Sequence, residues 1–171
     1  MLTLNNIKDA LKIDYSDDDI ELRRLQQAVI SMIESYCGIS YLPTVKTEYL
    51  EWWMRHRLIF SPFQSIVAVK YTVGGVLTTS AATDWFLDRT QYPSVFINFA
   101  EYPTIDDNTF IEISYTSGYA AQPPELDQAV IALVGSWYNN PEATQAILLS
   151  EVPMSARFIL DNLRQANGVL S

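Results

Sequence analysis

The chain has 171 residues, 49% hydrophobic and 18% charged, a balance typical of one folded domain rather than a disordered chain. Its formal net charge of −9 excludes nucleic-acid binding driven by excess cations. The single Cys excludes a disulfide within the chain, and no apolar run approaches the roughly 20 residues that a membrane helix requires. The amphipathic N-terminal residues do not resemble a signal peptide, so we expect synthesis in the cytoplasm and no membrane partner.

Two helices are predicted at the start of the chain, over residues 3–12 and 17–37. Thr3 suits the N-cap of the first helix. The second helix carries an apolar stripe at alternating spacings of three and four, and Gly38 follows where a helix commonly ends. The residues of this stripe are Leu22, Leu25, Val29, Met32 and Tyr36.

The stretch KIDYSDDDIELRRL, which joins these helices, raises the question of a metal-binding loop. An EF-hand loop that started at Asp14 would require Gly at its sixth position and Glu at its twelfth, where this chain has Asp19 and Leu25. Ser16 and Asp19 instead match the S-x-x-D spacing of a capping box at a helix start. We therefore predict a helix start here and no metal site.

The chain from about residue 43 to residue 118 is rich in β-branched and aromatic residues, which predicts an antiparallel β module, either a small sheet or a barrel. Gly74 and Gly75 are typical of a hairpin turn. Trp52 and Trp53 are adjacent at the end of its first predicted strand, so their side chains point to opposite faces. One is expected in the core and the other under a covering element or at an interface, which makes both interface candidates.

A third helix is predicted over residues 124–139. Pro123 or Pro124 suits its first position, because the N–H that proline lacks would be unpaired there. The helix is apolar on almost every side, so we expect it to be the most buried. Asn139, Asn140 and the proline that follows predict its end.

A looser connection, residues 142–154, precedes a final short helix over residues 155–166. Phe158, Ile159 and Leu163 are expected on its apolar side. Because so short a helix is marginal on its own, we expect it to be loosely held until a partner surface covers that side.

No arrangement of residues predicts catalysis or a cofactor. His56, the only histidine, lies between two arginines in a predicted turn without a nucleophile motif, so we expect it at the surface. Cys37 ends a helical stripe and is expected to be a small apolar filler. Solvated strand faces are expected for the carboxylates of the β module, which are Glu48, Glu51, Asp84, Asp88 and Glu101.

Three stretches of this chain, in this order, resemble the head–tail connector (adaptor) family of tailed bacteriophages. They are LTLNNIKDALKIDYSDDDIELRRLQQAVISMIESYCGISYL, SPFQSIVAVKYTVGGV and IEISYTSGYAAQPPELDQAVIALVGSWYNNPEA. In this family, an Asp-rich cap opens a longer helix that ends at Gly, a proline-led strand reaches a glycine turn, and a strand ending in Gly-Tyr precedes a proline-capped buried helix. The likeness covers nearly the whole chain.

The resemblance implies an α+β fold, a small helical bundle subdomain with an inserted antiparallel β module. It implies a structural subunit without catalysis in the virion neck, forming a ring of about twelve copies beneath the portal protein. The ring would extend the channel through which viral DNA passes without sequence-specific binding, and would present a surface to the next neck or tail protein. A C-terminal segment docks on the portal in this family. The matching candidates here are Arg157, Phe158, Leu160, Leu163 and Arg164.

Two other functions remain open from the sequence. One is a neck stopper or completion protein, which would share the location but bind a different neighbour. The other is a small enzyme or ligand-binding β module. The absence of a paired catalytic signature argues against an enzyme, and a ligand-binding module should show a concave apolar pocket with convergent polar groups. An adaptor should instead present flat, extended surfaces on opposite sides of the subunit.

Overall fold

The computed structural model describes residues 2–91, 94–140 and 154–166, the side chains of 155, 165 and 166 excepted. The chain divides into two compact units. The helical unit combines Met1–Tyr41 with Ala121–Ser171, and the β unit is the continuous segment Leu42–Ala120. Within the described residues, four helices and two antiparallel sheets confirm the predicted α+β fold class.

The helical unit contains four helices close to their predicted positions. They are α1 (Leu4–Leu11), α2 (Asp19–Cys37), α3 (Pro124–Asn139) and α4 (Met154–Ala166). Pro124 occupies the first turn of α3 as predicted. The connection predicted at residues 142–154 lies outside the described residues, apart from Met154, which begins α4. Where the chain is described, no helix is both long enough and apolar enough to cross a membrane.

The helices pack through the apolar spacing seen in the sequence. On α2, the buried residues are Leu22, Leu25, Val29, Ile33 and Cys37. On α3, they are Leu126, Ala129, Val130, Leu133, Val134 and Gly135. Since a Cβ at Gly135 would lie 2.7 Å from Leu11 Cδ2, the absence of a side chain there lets Leu11 pack against α3. The helical core is therefore built from residues distant in sequence.

The caps of α1 and α2 were only partly predicted. Thr3 caps α1, and it forms a capping box with Asn6, whose backbone N–H donates to Thr3 Oγ1 at 3.2 Å. Gly38 ends α2 in the left-handed conformation with φ 63°. The capping box predicted at Ser16 and Asp19 is wrong. The N-cap of α2 is Asp18, two residues after Ser16, and its side chain makes no hydrogen bond to α2.

The missing cap has a tertiary cause. Asp19 forms an ion pair with Lys8 of α1 at 2.6 Å, and Asp18 accepts a hydrogen bond from the hydroxyl of Tyr138 on α3. Ser16 contributes only its carbonyl, which accepts from Asp19 N at 3.1 Å. The aspartates of this stretch thus join α2 to its neighbouring helices instead of completing its own first turn.

The described residues of the β unit form seven strands in two sheets. They are β1 (Thr44–Leu50), β2 (His56–Arg57), β3 (Phe63–Val73), β4 (Val76–Thr79), β5 (Trp85–Asp88), β6 (Phe96–Phe99) and β7 (Ile111–Ser117). The larger sheet has the order β1-β7-β3-β4 and the smaller one β2-β6-β5, all antiparallel. Of the two predicted alternatives, open sheets are correct and a barrel is not.

Glycines allow the hairpin turn between β3 and β4 and the close backbone contact at the end of β7. The predicted hairpin is present, with Val73 paired to Val76 across Gly74 and Gly75. Both glycine N–H groups donate to the carboxylate of Asp106, at 2.9 and 2.7 Å. At the end of β7, Gly118 has φ +127°, and a Cβ there would lie 2.2 Å from the backbone oxygen of Leu42. Only glycine fits at this position.

The core of the β unit lies between its sheets and the loops around them. Its buried members are Leu50, Leu58, Val69, Val95, Ile97, Phe99, Ile111, Ile113 and Tyr115. Ile111 and Ile113, in the first half of β7, are fully buried because their side chains belong to this core. The outward residues of the same sheet form a separate exposed face.

Candidate functional site

The predicted portal-binding residues all lie on α4, but on different sides of it. Arg157 and Phe158 are exposed, and Phe158 keeps 68% of its surface accessible. Leu163 and Arg164 are half-buried. Leu160 is 1% exposed and belongs to the helical core, so it cannot offer a contact surface to a partner.

The prediction of the apolar side of α4 was wrong. The side that packs inward is marked by Ala156 and Leu160, four residues apart, and both are buried. Phe158 points away from this side. A small Ala beside a Leu allows close helix packing, whereas the sequence reasoning took the largest apolar residue, Phe158, to be the buried one.

Polar contacts fix α4 against α2. Tyr36 donates its hydroxyl hydrogen to Asp161 at 2.6 Å, and the Arg164 guanidinium lies 5.1 Å from the centre of the Tyr36 ring. The Cys37 thiol donates to the backbone oxygen of Leu160 at 3.5 Å. Burial, reinforced by the Asp161 carboxylate, raises the pKa of this thiol to about 12. These contacts hold α4 on α2 in the structure, whereas the firmness of this attachment in the free subunit stays a prediction. Cys37 is the buried filler that the sequence predicts.

The outer side of α4 carries an apolar pair that sequence reasoning missed in part. Met154 is 86% exposed and Phe158 is 68% exposed, and they are four residues apart, so they are neighbours on one helix face. Arg157 lies beside them. Its Nε is 3.9 Å from Oδ2 of Asp161, four residues further along the helix. Met154 could have been predicted as a neighbour of Phe158 from the sequence, because it directly precedes the predicted helix and lies four residues before Phe158.

The two adjacent tryptophans divide as predicted, although neither lies on a strand, because β1 ends at Leu50. The Trp53 indole N–H donates to Pro103 O at 2.7 Å, and its ring meets Phe99 and Tyr71 edge-on at 4.9 and 5.3 Å. Trp53 is thus part of the core. Trp52 is 60% exposed and remains the interface candidate of the pair.

A buried carboxylate in the β unit contradicts two sequence expectations. Glu48 is 8% exposed, not on a solvated strand face, and its Oε2 lies 2.5 Å from His56 Nε2. His56 is on β2 and half-buried, not on the surface. Glu48 also accepts hydrogen bonds from Ile59 N, at 2.9 Å, and from the Tyr115 hydroxyl. Burial, with the hydrogen bond to Glu48, raises the pKa of Tyr115.

The side chains of this network accept hydrogen bonds from the backbone of an irregular segment. Tyr115 accepts a hydrogen bond from Phe60 N at 3.0 Å, so Glu48 and Tyr115 together satisfy two successive N–H groups of an irregular segment. Within the described ranges, no three His, Cys, Asp or Glu side chains come together as a metal site would require.

Comparisons with known proteins place this arrangement in a family. The head completion protein family matches residues 1–165. The chain belongs to the head completion protein family. This membership confirms the resemblance to head–tail connectors, and with it the predicted class of function, a structural component of the head–tail connection. No curated protein matches the chain significantly.

Solved structures related to this family member share its fold over almost the whole chain. The neck of an empty gene transfer agent (GTA) particle computed with C6 symmetry contains a chain that is 23% identical, with a TM-score of 0.77, covering 95% of this chain and 89% of that one. A chain in the virion of the native GTA particle is 22% identical, with a TM-score of 0.77 and coverages of 95% and 89%. A chain in the neck of the native particle computed with C12 symmetry is 23% identical, with a TM-score of 0.73, and the match covers 94% of this chain and 87% of that one. At these identities, the likeness is one of fold.

Proposed function

We propose that this protein is a ring-forming adaptor subunit of the virion neck, seated beneath the portal protein and without catalytic activity. The observation that carries the proposal is the family match over residues 1–165, a span that includes both units and α4. The similar GTA chains come from a neck, and one of these necks was computed with C12 symmetry. This supports a ring of about twelve copies, in which identical subunits close by rotation.

The outer side of α4 is the proposed portal contact. Met154 and Phe158 are exposed apolar side chains on one helix face, and Arg157 adds a cation beside them. A helix that is packed on one side and apolar on the other suits insertion into a partner groove. Leu163 and Arg164, at the half-buried flank, extend this contact, whereas Leu160 holds α4 in place.

The remaining surfaces serve the rest of the neck. Trp52, exposed on the β unit, is proposed to meet the next neck or tail protein. Viral DNA passes through the ring, and a chain with net charge −9 offers no general attraction to the phosphate backbone. The free subunit is proposed to be monomeric or a small oligomer until the portal provides a template.

Portal binding can be measured by mixing the purified full-length chain with purified portal and following sedimentation. Phe158→Ala is expected to weaken binding at least tenfold and to leave the melting temperature within a few degrees, because its side chain is exposed. The matched control is Phe86→Ala, an exposed aromatic on β5 that should leave binding unchanged. If both variants lost portal binding equally, or if neither lost it, α4 would not be the portal contact.

A second candidate function, a completion or stopper protein, is favoured by the description of the family itself. The two functions differ in their order of assembly. An adaptor binds the isolated portal directly, whereas a stopper binds only after another neck protein has joined. Binding to portal alone therefore supports the adaptor, and binding only to portal that already carries a neck ring supports the stopper.

A further inference from the structure

The outward face of the four-stranded sheet is a surface that the functions above do not use, with its most exposed side chains away from the half-buried centre on β7. Alternate residues of β1 reach it, with Val45 57% and Tyr49 64% exposed. Leu77, on β4, is 60% exposed, and Phe110, just before β7, is 52% exposed. The Tyr49 and Phe110 rings meet edge-on at 6.5 Å. We refer to this surface, formed by outward residues of β1, β7, β3 and β4, as the outer sheet face.

The outer sheet face is electrically neutral at its centre. Glu112 and Lys70, on neighbouring strands, pair with each other at 3.5 Å. The Ser114 hydroxyl donates to Glu112 at 3.3 Å and lies 3.0 Å from the Thr47 hydroxyl. Each charge on this part of the face therefore has a partner on the same face.

This neutrality bears on which partner can approach. The whole chain has a formal net charge of −9, so two copies repel each other. The repulsion is smallest where the two copies meet through surfaces without net charge. The centres of protein interfaces are depleted in charged residues and enriched in aromatic ones, as Tyr49 and Phe110 provide here. Nucleic acid is a poor match, because the Lys70 ammonium is already paired with Glu112.

The face, rather than the edge, of this sheet is suited to the contact. The edge strand β1 directs Lys46 and Glu48 to the inner side, where Lys46 lies 4.5 Å from the centre of the Phe60 ring. Inward-pointing charged residues on an edge strand discourage pairing with a strand of another molecule. The outward residues of the same strand are aliphatic, hydroxylic and aromatic.

We infer that the outer sheet face is the surface through which this chain contacts a second copy of itself. The inference rests on the proposed function, in which a closed ring gives every subunit two different contact surfaces, one for each neighbour. The outer sheet face supplies one of them, with Tyr49 and Phe110 as its aromatic anchors.

The test places a photoreactive aromatic at one position of the full-length chain. Tyr49→p-benzoylphenylalanine is expected to give, in irradiated neck-containing particles, a crosslinked product of twice the chain mass whose peptides come from this protein alone. The matched control is the same substitution at Phe86, a 55% exposed aromatic on the smaller sheet, which should give no such product. A crosslink from position 49 to the portal or another neck protein overturns the inference, as does a self-crosslink from Phe86 alone.

A second pair of variants measures the consequence for assembly. Tyr49→Glu adds a negative charge to the outer sheet face and is expected to reduce the copies per neck at least tenfold, whereas Phe86→Glu should assemble as the unaltered chain does. Circular dichroism of both variants checks that they fold. Equal assembly of Tyr49→Glu and Phe86→Glu overturns the inference.

The failure of the proposed function would look different. If the unaltered chain were absent from purified necks, the neck function would fall. The self-contact would then be judged by the same two crosslinks in concentrated purified protein. A dimer-mass product from position 49 alone upholds it, and any other pattern overturns it.

Discussion

The helices of the helical unit and the β unit bury different kinds of side chain. Every buried position in the described parts of α1 to α4 is apolar. The β unit buries the Glu48 carboxylate and the Tyr115 hydroxyl beside its aliphatic residues. The reason lies in the backbone. A helix pairs its own N–H groups, whereas the irregular segment that contains Ile59 and Phe60 requires acceptors from side chains.

The comparison teaches that buried polarity here follows irregular backbone. Where regular helices meet, their buried positions are apolar, and the polar contacts between them lie at the edges of the packed surface. Where a loop enters the core, a carboxylate and a hydroxyl enter with it, and each must keep its partners because an unpaired buried polar group is costly. The two units should therefore respond differently to substitutions.

The largest effect is expected in the apolar core of the helical unit. Leu133→Ala should lower the free energy of unfolding by about 2–5 kcal/mol, because Leu133 is fully buried and a cavity would remain. Urea denaturation measures it. The matched exposed position is Ile20, at 84% exposure, and Ile20→Ala should stay within about 0.5 kcal/mol. Similar losses at both positions would contradict the packing described for α3.

A smaller effect is expected in the polar core of the β unit. Tyr115→Phe should cost about 1–3 kcal/mol, because it removes a donor to Glu48 and leaves Phe60 N without its acceptor. The control, Tyr49→Phe, removes an exposed hydroxyl from the same unit and should change stability by less than about 0.5 kcal/mol. If both variants unfolded at the same urea concentration, the network would not contribute to stability.

The smallest expected difference in stability is between substitutions at the two candidate N-caps of the helical unit, Thr3 and Ser16. Thr3→Ala is expected to cost about 1 kcal/mol, since Thr3 completes the capping box of α1. Ser16→Ala should be nearly neutral, within about 0.5 kcal/mol, because only the Ser16 carbonyl takes part in the turn before α2. Thermal unfolding of both variants gives the comparison, and a larger loss at Ser16 would restore the cap expected from the sequence.

Folding stability is expected to fall at alkaline pH, through buried groups in both units, and to be unaffected by these groups near neutral pH. Burial raises the pKa of Cys37 to about 12, and the pKa values of Tyr41 and Tyr115 are also raised, in each case first by burial. The folded chain therefore keeps protons that the unfolded chain releases, so stability is full at pH 8 and falls as pH rises from about 9 towards 12. In urea titrations at several pH values, Cys37→Ala should make this fall less steep. An unchanged slope would mean that the thiol does not contribute.

The sequence predicted the helices and most strands because their signals are local and repeated. Pro124 on α3 and the Gly74–Gly75 hairpin each follow from backbone preference, and both are confirmed. The stripe on α2 follows from spacing and is confirmed at Leu22, Leu25 and Val29. Beyond Val29 the buried side continues through Ile33 and Cys37, whereas the predicted Met32 and Tyr36 are half-buried. The family was recognised from the same elements in their order. None of this requires knowing which side chains meet across the fold.

The errors share one cause, which is a partner distant in sequence. Ser16 fits a capping pattern, but the carboxylates that follow it bind Lys8 and Tyr138. Glu48 looks like a surface carboxylate until His56 and Tyr115 are brought next to it. The buried side of α4 depends likewise on the α2 surface that it meets.

One feature of the β unit bears on how such a chain can change over evolutionary time. Thr44 at the start of β1 pairs with Ser117 at the end of β7, and Gly118 packs against the Leu42 backbone so closely that no side chain fits between them. The two ends of the β unit thus lie side by side. Closing a gap between neighbouring ends costs little chain entropy. The β unit can therefore be exchanged, lengthened or excised as one cassette, in a single genetic event, while the flanking sequences keep what they need to pair α1 and α2 with α3 and α4.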